Sequence, residues 1–338
     1  MIIQLIPNLD TDKKIKLTKK IEDFGFELKN IKTQFTEYLI ALGKPKFDIR
    51  SIGNLDGVED IFAVNDKHEL VSNKWKTAPT VIHLDEKTTI GGHELCIMAG
   101  PCSIENEAQV EDMAGFLTRN NVAIMRGGVF KPRSSPYSFR GVGIEGLKYF
   151  SSICKQYGIK IISEVMHDEQ IDKMCDYVDI FQVGARNSQN YNLLDALGKT
   201  DKPIMIKRGL SGTIDELLYS AEYIFSGGNE KIILCERGIR TFEKEYRNTL
   251  DLNAVPVLKA KTHLPVIVDP SHGTGKRNMV EPMALAAIMS GADGIMIEIH
   301  KTPEKAASDG EQSLTLSQTE ILVKKMIATW EFRRKLME

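Results

Sequence analysis

From Leu95 onward the chain keeps one beat: short apolar runs rich in Ile, Val and Met, each followed by a polar, amphipathic stretch. In order the runs are "LCIMAGPCS", "VAIMRGG", "KIISEVM", "IFQVGARN", "PIMIKRG", "KIILCERG", "LPVIVDPSH" and "GIMIEIH". Continuously apolar strands predict a parallel sheet covered on both faces, and segments such as "NEAQVEDMAGFLTRN" and "GTIDELLYSAEYIFSGG" predict the covering helices. Eight such units in roughly 240 residues fit a closed (β/α)8 TIM barrel better than an open sheet.

The first 71 residues have a different rhythm. "MIIQLIP" reads as a strand and "TDKKIKLTKKIEDFG" as an amphipathic helix stopped by a glycine. Two further strands, "FELKNIKTQF" and "EYLIALGK", a short helix at "DIRSIGNLDGV" and a closing strand "EDIFAV" complete a βαββαβ order. That order predicts a small ferredoxin-like α+β domain. Residues 72–94 are expected to form a linker and a capping hairpin, "VIHLDEKTTIGG", and residues 95–338 the barrel.

Composition narrows the class. Of 338 residues, 42% are hydrophobic and 27% charged, as in soluble globular proteins, and the net charge of -2 excludes a strongly basic nucleic-acid face. No apolar run approaches the roughly 18 residues that span a bilayer, and "MIIQLIPNLDTDKK" lacks the pattern of a signal peptide. Cys96, Cys102, Cys154, Cys175 and Cys235 are odd in number and without CxxC spacing, which points to a reducing compartment, by default the cytoplasm.

In a (β/α)8 barrel the chemistry sits at the C-terminal strand ends. Here the first run ends at Cys102 and the second at Arg126; Glu164, Arg186, Lys207 and Arg237 follow the next four. Asp269 and His272 follow the seventh, and Glu298 the eighth. One charged residue at a strand end merely marks where a buried strand meets solvent; a full ring of them in register points to a site. Arg126, Lys131, Arg133, Arg186, Lys207 and Arg237 make a cationic rim, which calls for a polyanion carrying phosphate and carboxylate, or for two phosphorylated substrates. Arg208 and Arg240, off the strand ends, are expected to be surface ion pairs, and Arg140 a solvent-facing charge.

Cys102, His272 and Glu298 fall on strand ends that adjoin in a closed barrel, and Asp309 follows in the last loop. Thiolate, imidazole and two carboxylates suit a divalent transition metal such as Mn, Fe or Zn. Each also has a plainer reading. A lone cysteine is usually a small buried hydrophobe, as assigned here to Cys96, Cys154, Cys175 and Cys235. His272 could cap a turn, and Asp309 before Gly310 is a turn signal. Spacing alone leaves both readings open.

The motifs "AGPCSIEN", "RGGVFKPRSSPYSF", "GARN", "IKRG", "CERG", "DPSHGTG" and "EIH...SDGEQSL" resemble, in order, those of the 3-deoxy-D-arabino-heptulosonate 7-phosphate (DAHP) synthases, in the branch similar to 3-deoxy-manno-octulosonate 8-phosphate (KDO8P) synthase. The resemblance implies condensation of phosphoenolpyruvate with erythrose 4-phosphate, the first step of the shikimate pathway. It implies one divalent metal ion on Cys102, His272, Glu298 and Asp309. Phosphoenolpyruvate would be held by Arg126, Lys131, Arg186, Lys207 and Arg237, and the aldose phosphate by Arg133 and Ser134. Lys131 would also serve as a proton donor and Glu164 would handle the attacking water. A ferredoxin-like domain ahead of a biosynthetic barrel suggests feedback inhibition, with tyrosine or phenylalanine as effector and an oligomerisation cap as the plainer alternative; the resemblance implies a homotetramer.

Three rivals remain. A KDO8P synthase would use arabinose 5-phosphate, but there an asparagine is expected within the stretch Lys131-Pro132-Arg133. Ser134 stands where the heptulosonate family usually has threonine, and the hydroxyl is kept. A Schiff-base aldolase would use Lys207 and leave the Cys-His-Glu-Asp set idle. A sugar-phosphate sensor on an inactive barrel would have no use for an intact metal set.

Overall fold

The computed structural model describes the chain except residues 44–47, 64–67, 75, 77, 132–136, 138 and 338. Pro132, Arg133 and Ser134 therefore lie outside the described residues. At the N-terminus come β1 (Ile2–Leu5), α1 (Thr11–Asp23), β2 (Glu27–Lys32), β3 (Glu37–Leu42), α2 (Arg50–Gly53) and β4 (Val58–Phe62). Their antiparallel sheet runs β2-β3-β1-β4, the strand order of a ferredoxin-like split βαβ unit. Asp10 starts α1 by accepting from the Asp12 and Lys13 N–H groups.

β3 is buried at Tyr38, Leu39, Ile40 and Ala41 in succession, so both faces of this small sheet are covered. Ile3, Leu5, Leu39 and Ala41 pack with Leu17 and Ile21 of α1. Ile2, Tyr38 and Ile40 turn the other way and join the apolar cluster outside the barrel, with the Tyr38 ring 6.2 Å from that of Phe225. A hairpin of β5 (Ile82–His83) and β6 (Thr89–Ile90) follows.

The barrel then alternates strand and helix. Its first half holds β7 (Cys96–Gly100), α3 (Glu107–Arg119), β8 (Ile124–Arg126), α4 (Gly143–Gln156), β9 (Lys160–Val165), α5 (Ile171–Cys175) and β10 (Ile180–Val183). Next come α6 (Tyr191–Gly198), β11 (Ile204–Lys207), α7 (Ile214–Ser226), β12 (Ile232–Glu236), α8 (Ala254–Lys261) and β13 (Val266–Val268). It ends with α9 (Pro270–Thr274), α10 (Arg277–Ser290), β14 (Gly294–Glu298) and α11 (Leu316–Met337). The eight strands are parallel, and the sheet closes where β14 pairs with β7, Glu298 opposite Gly100. This is the expected TIM barrel behind an N-terminal α+β domain.

The strand period of two decides what lies inside. Met98, Ile124, Ile162, Ile180, Met205, Cys235, Ile267 and Met296 form part of an interior apolar cluster, closed at one end by Ile82 and Ile90 of the hairpin. Two residues further along several of the same strands come Arg126, Glu164, Gln182, Lys207 and Arg237, which line a cavity. The change from methyls to charges thus happens at one level of the barrel.

Candidate active site

The cavity at the C-terminal strand ends has a volume of about 260 Å³. Arg126, Lys131, Arg186, Lys207, Arg237, Arg240 and Arg247 line it, against Glu164 and Asp309. Arg126 is almost fully buried; its Nη1 donates to Pro101 O and Glu298 Oε1, both at 2.8 Å. Its Nε is buried with no partner among the described residues. Arg237, also buried, has one long hydrogen bond, 3.4 Å to the Gly238 carbonyl, and burial pushes its pKa below the usual range despite the pull of Asp269. The orphaned Nε of Arg126, which is otherwise ion-paired with Glu298, and the single long bond of Arg237 leave buried donors that suit an anion.

Beside the cavity, the donor atoms of Cys102, His272, Glu298 and Asp309 lie within 4.8 Å of one another. The local sequence explains how His272 gets there. In "DPSHGTG", Asp269 caps the one-turn helix α9 by accepting from the His272 N–H, Pro270 sits at its first position, and Gly275 ends it with φ 70°. The Asp269 carboxylate also accepts from His272 Nδ1 (2.7 Å) and from Lys207 Nζ (2.5 Å). With Nδ1 engaged, His272 turns Nε2 to Glu298 Oε1, 3.2 Å away. The Glu298 N–H donates to Ser271 Oγ, tying the end of β14 to the same short helix.

Burial opposes the charge on Asp269, but His272 and Lys207 outweigh it and hold this carboxyl well below the usual range. Burial lowers the His272 pKa against the pull of Asp269 and Glu298, favouring the neutral ring that ligates metals. Glu298 and Asp309 are likewise held down despite burial, Glu298 by His272 and Arg126, Asp309 by His272, Cys102 and Arg247. Burial and then Glu298 push the Cys102 thiol up to about 12, with Lys131 opposing, so a cation bound there must displace a proton. Lys131 Nζ lies 3.0 Å from Cys102 Sγ and 2.9 Å from the Cys102 carbonyl oxygen, between the donor cluster and the cavity. One thiol, one imidazole and two carboxylates, all buried or half-buried, form a donor set that fits a divalent transition ion.

The structure thus brings together Cys102, Arg126, Lys131, Glu164, Arg186, Lys207, Arg237, His272, Glu298 and Asp309. The expectation for Arg208 is corrected. It is no surface pair: Nη1 donates to Glu236 at 2.9 Å and Asp251 at 2.8 Å, and Arg208 and Glu236 are both buried. The loops after β11 and β12 fold over it, which strand spacing does not reveal. Arg240 is exposed and lines the cavity mouth. Sequence reasoning gave no role to Asp269 and missed Gln182, Arg247 and Gln312. Gln182 left one signal, an amide inside an otherwise apolar strand; Arg247 and Gln312 sit in aperiodic loops. One glycine is required by close approach: a Cβ on Gly100 would lie 2.0 Å from the Arg126 carbonyl oxygen. A Cβ on Gly184 would lie 2.0 Å from Glu164 Oε1, the movable end of that side chain.

A closed (β/α)8 barrel with a single mouth combining buried cations and a mixed metal-compatible cluster has the layout of an enzyme acting on small polyanions. The pattern of the DAHP synthetase I family matches residues 79–335. A curated phospho-2-dehydro-3-deoxyheptonate aldolase of Thermotoga maritima is 43% identical over 327 residues, 96% of this chain and 96% of its own length. A 2-dehydro-3-deoxyphosphooctonate aldolase of Geobacter sulfurreducens is 34% identical over 259 residues, 70% of this chain and 93% of its own length. The crystal structure of the Thermotoga maritima phospho-2-dehydro-3-deoxyheptonate aldolase (DAHP synthase) superposes with a TM-score of 0.76 at 42% identity, covering 96% of this chain and 95% of that one. The chain belongs to the DAHP synthetase I family and shares its enzyme class, 3-deoxy-7-phosphoheptulonate synthase, with the place in the shikimate pathway that follows.

Proposed function

We propose that the chain condenses phosphoenolpyruvate with erythrose 4-phosphate and water, giving 3-deoxy-D-arabino-heptulosonate 7-phosphate and phosphate, with one divalent metal ion on Cys102, His272, Glu298 and Asp309. The observation that carries this reading is the weakly bonded, buried Arg237 and the unpartnered Nε of buried Arg126, both on a cavity that also reaches His272 and Asp309 of the donor cluster. A divalent ion held by Cys102, His272, Glu298 and Asp309 would supply Lewis acidity.

The chain's own residues do the rest. Arg126, Arg186, Lys207 and Arg237 hold the carboxylate and phosphate of phosphoenolpyruvate and fix its enol carbon against the aldehyde. Lys131 Nζ, poised beside Cys102, donates a proton to the alkoxide that forms as the new C–C bond closes. Glu164 orients the water that attacks the phosphate-bearing carbon. The same cations stabilise the departing phosphate. Arg133 and Ser134 stay assigned to the aldose phosphate on the strength of the motif.

The family likeness extends to the octulosonate enzymes, so the aldose is the point to test. Lys131-Pro132-Arg133 favours the four-carbon sugar. Phosphate release is to be measured with phosphoenolpyruvate, metal and each aldose phosphate in turn; turnover with arabinose 5-phosphate alone would overturn the assignment. A Schiff-base role for Lys207 is disfavoured by its buried pairing with Asp269. Residues 1–71 are read as a regulatory unit for tyrosine or phenylalanine, in a homotetramer. A turnover assay unmoved by either amino acid would leave the domain an oligomerisation cap.

A further inference from the structure

Every inward-facing ligand of the donor cluster except Cys102 is held by a partner behind it. His272 is held at Nδ1 by Asp269. For the two carboxylates the holders are Gln312 and Arg247, on separate loops. Gln312 is buried and donates through Nε2 to Glu298 Oε2 at 2.5 Å. Its Oε1 accepts from Arg247 Nη1 at 2.9 Å, and the same Nη1 donates to Asp309 Oδ1 at 3.1 Å. The opposite oxygens face the cluster: Glu298 Oε1 lies 3.2 Å from His272 Nε2 and also accepts from Arg126 Nη1 at 2.8 Å, and Asp309 Oδ2 lies 3.0 Å from Cys102 Sγ.

We propose that Gln312 and Arg247 are positioning residues that tether the outer oxygen of Glu298 and of Asp309, so that each offers one inner oxygen to the metal. The proposal rests on the metal-dependent reading above. An amide is the side chain that satisfies both neighbours, donating to a carboxylate at one end and accepting from a guanidinium at the other. Turned round, it would set oxygen against oxygen and N–H against N–H. Arg247 spends the two protons of one nitrogen on Gln312 and Asp309. Asp309 sits at φ 53°, a left-handed conformation open to aspartate among the non-glycine residues, and the Arg247 bond fixes its carboxylate there. Supporting partners orient metal ligands, and their loss typically costs about 10–100-fold in affinity.

The test is a cobalt(II) titration of the metal-stripped full chain without substrates, reading the Cys102 thiolate-to-cobalt absorption and the visible ligand-field bands. Gln312→Met, of similar volume but without either hydrogen bond, is expected to weaken cobalt binding at least about tenfold and change the ligand-field envelope. Arg247→Met is expected to do likewise, with Arg247→Lys in between. Calorimetry with phosphoenolpyruvate on metal-free Gln312→Met should give unchanged affinity. Cobalt affinity and spectrum unchanged in the Met variants would overturn the proposal, as would an equal loss of cobalt and phosphoenolpyruvate binding, the mark of a general structural role. If buried Gln312→Met does not fold, the half-exposed Arg247 pair decides by cobalt affinity and spectrum alone, since Arg247 also lines the substrate cavity. Absence of any cobalt spectrum in the unsubstituted protein would overturn the metal-dependent reading, and this proposal with it.

Discussion

Replacing Asp269 by asparagine tests whether the donor cluster is organised as argued. The carboxylate takes three donors at once: His272 N–H at 2.9 Å on Oδ1, and His272 Nδ1 at 2.7 Å and Lys207 Nζ at 2.5 Å on Oδ2. An amide cannot serve all three. With its NH2 in the Oδ2 position, it faces the Lys207 ammonium and forces His272 into the other tautomer, which puts a proton on the Nε2 that faces the cluster. With its NH2 in the Oδ1 position, it meets the His272 N–H. Either way Lys207 keeps a buried positive charge without its counter-charge, at a cost of about 3–5 kcal/mol for a broken buried pair. For a chain of this size that lowers Tm by roughly 4–7 °C. Loss of a partner behind a ligand, compounded by the wrong tautomer, should weaken metal binding by about 100-fold or more, or some 2.7 kcal/mol. Isothermal titration with Mn(II) and calorimetric melting measure the two effects separately. Metal affinity within threefold of the parent, with an unmoved Tm, would refute the reasoning.

Stripping with a chelator should abolish phosphate release, and Mn(II) should restore it; full turnover after verified removal would rule out metal dependence. Gly184→Ala places a Cβ 2.0 Å from Glu164 Oε1, so the flexible carboxylate swings out of the cavity. The expected result is a fall in kcat of about tenfold or more with Tm little changed, and normal kcat would remove Glu164 from the water-handling step. At the seam between the domains, burial pushes Glu222 up to about 7, above its ordinary 4.5, even though it accepts from the Leu70 and Val71 N–H groups. An acid with a raised folded pKa contributes stability that is present below 4.5 and lost as pH climbs through 7, here about 3 kcal/mol in all. Buried His263, held down to about 3 and bonded to the Leu70 carbonyl oxygen, acts in the opposite sense, its contribution lost as pH falls below 6.5 toward 3. The two trends oppose each other between pH 4.5 and 6.5, so amide protection at Leu70 and Val71, corrected for the intrinsic base-catalysed rate, should stay nearly flat there in the parent and rise with pH in a Glu222→Gln variant; a variant as flat as the parent would refute the assignment.

How much of this was legible in the chain depends on how local each feature is. The strand runs, and the step within them from Ile124 to Arg126 or Met205 to Lys207, are period-two patterns two residues apart. The cap, proline and terminal glycine of "DPSHGTG" specify α9 within seven residues. Arg208 misled because its depth is set by Glu236 and Asp251 on other segments. Arg247 left no trace and Gln312 only its place in "SDGEQSL", since no periodicity governs the loops that carry them.

The sequence by itself determined the order of the eight βα units, the residue types delivered to each strand end, and the local turn that presents His272. Those are short-range matters of side-chain alternation, capping and backbone preference. Only the tertiary structure decided that β14 closes on β7, bringing Glu298 and Asp309 to Cys102 across some two hundred residues. It alone decided which oxygen of each carboxylate faces the cluster and which faces a tether. The physical reason is that these depend on distant segments meeting in a packed, poorly hydrated space, where a charge finds its partner by position and not by spacing along the chain.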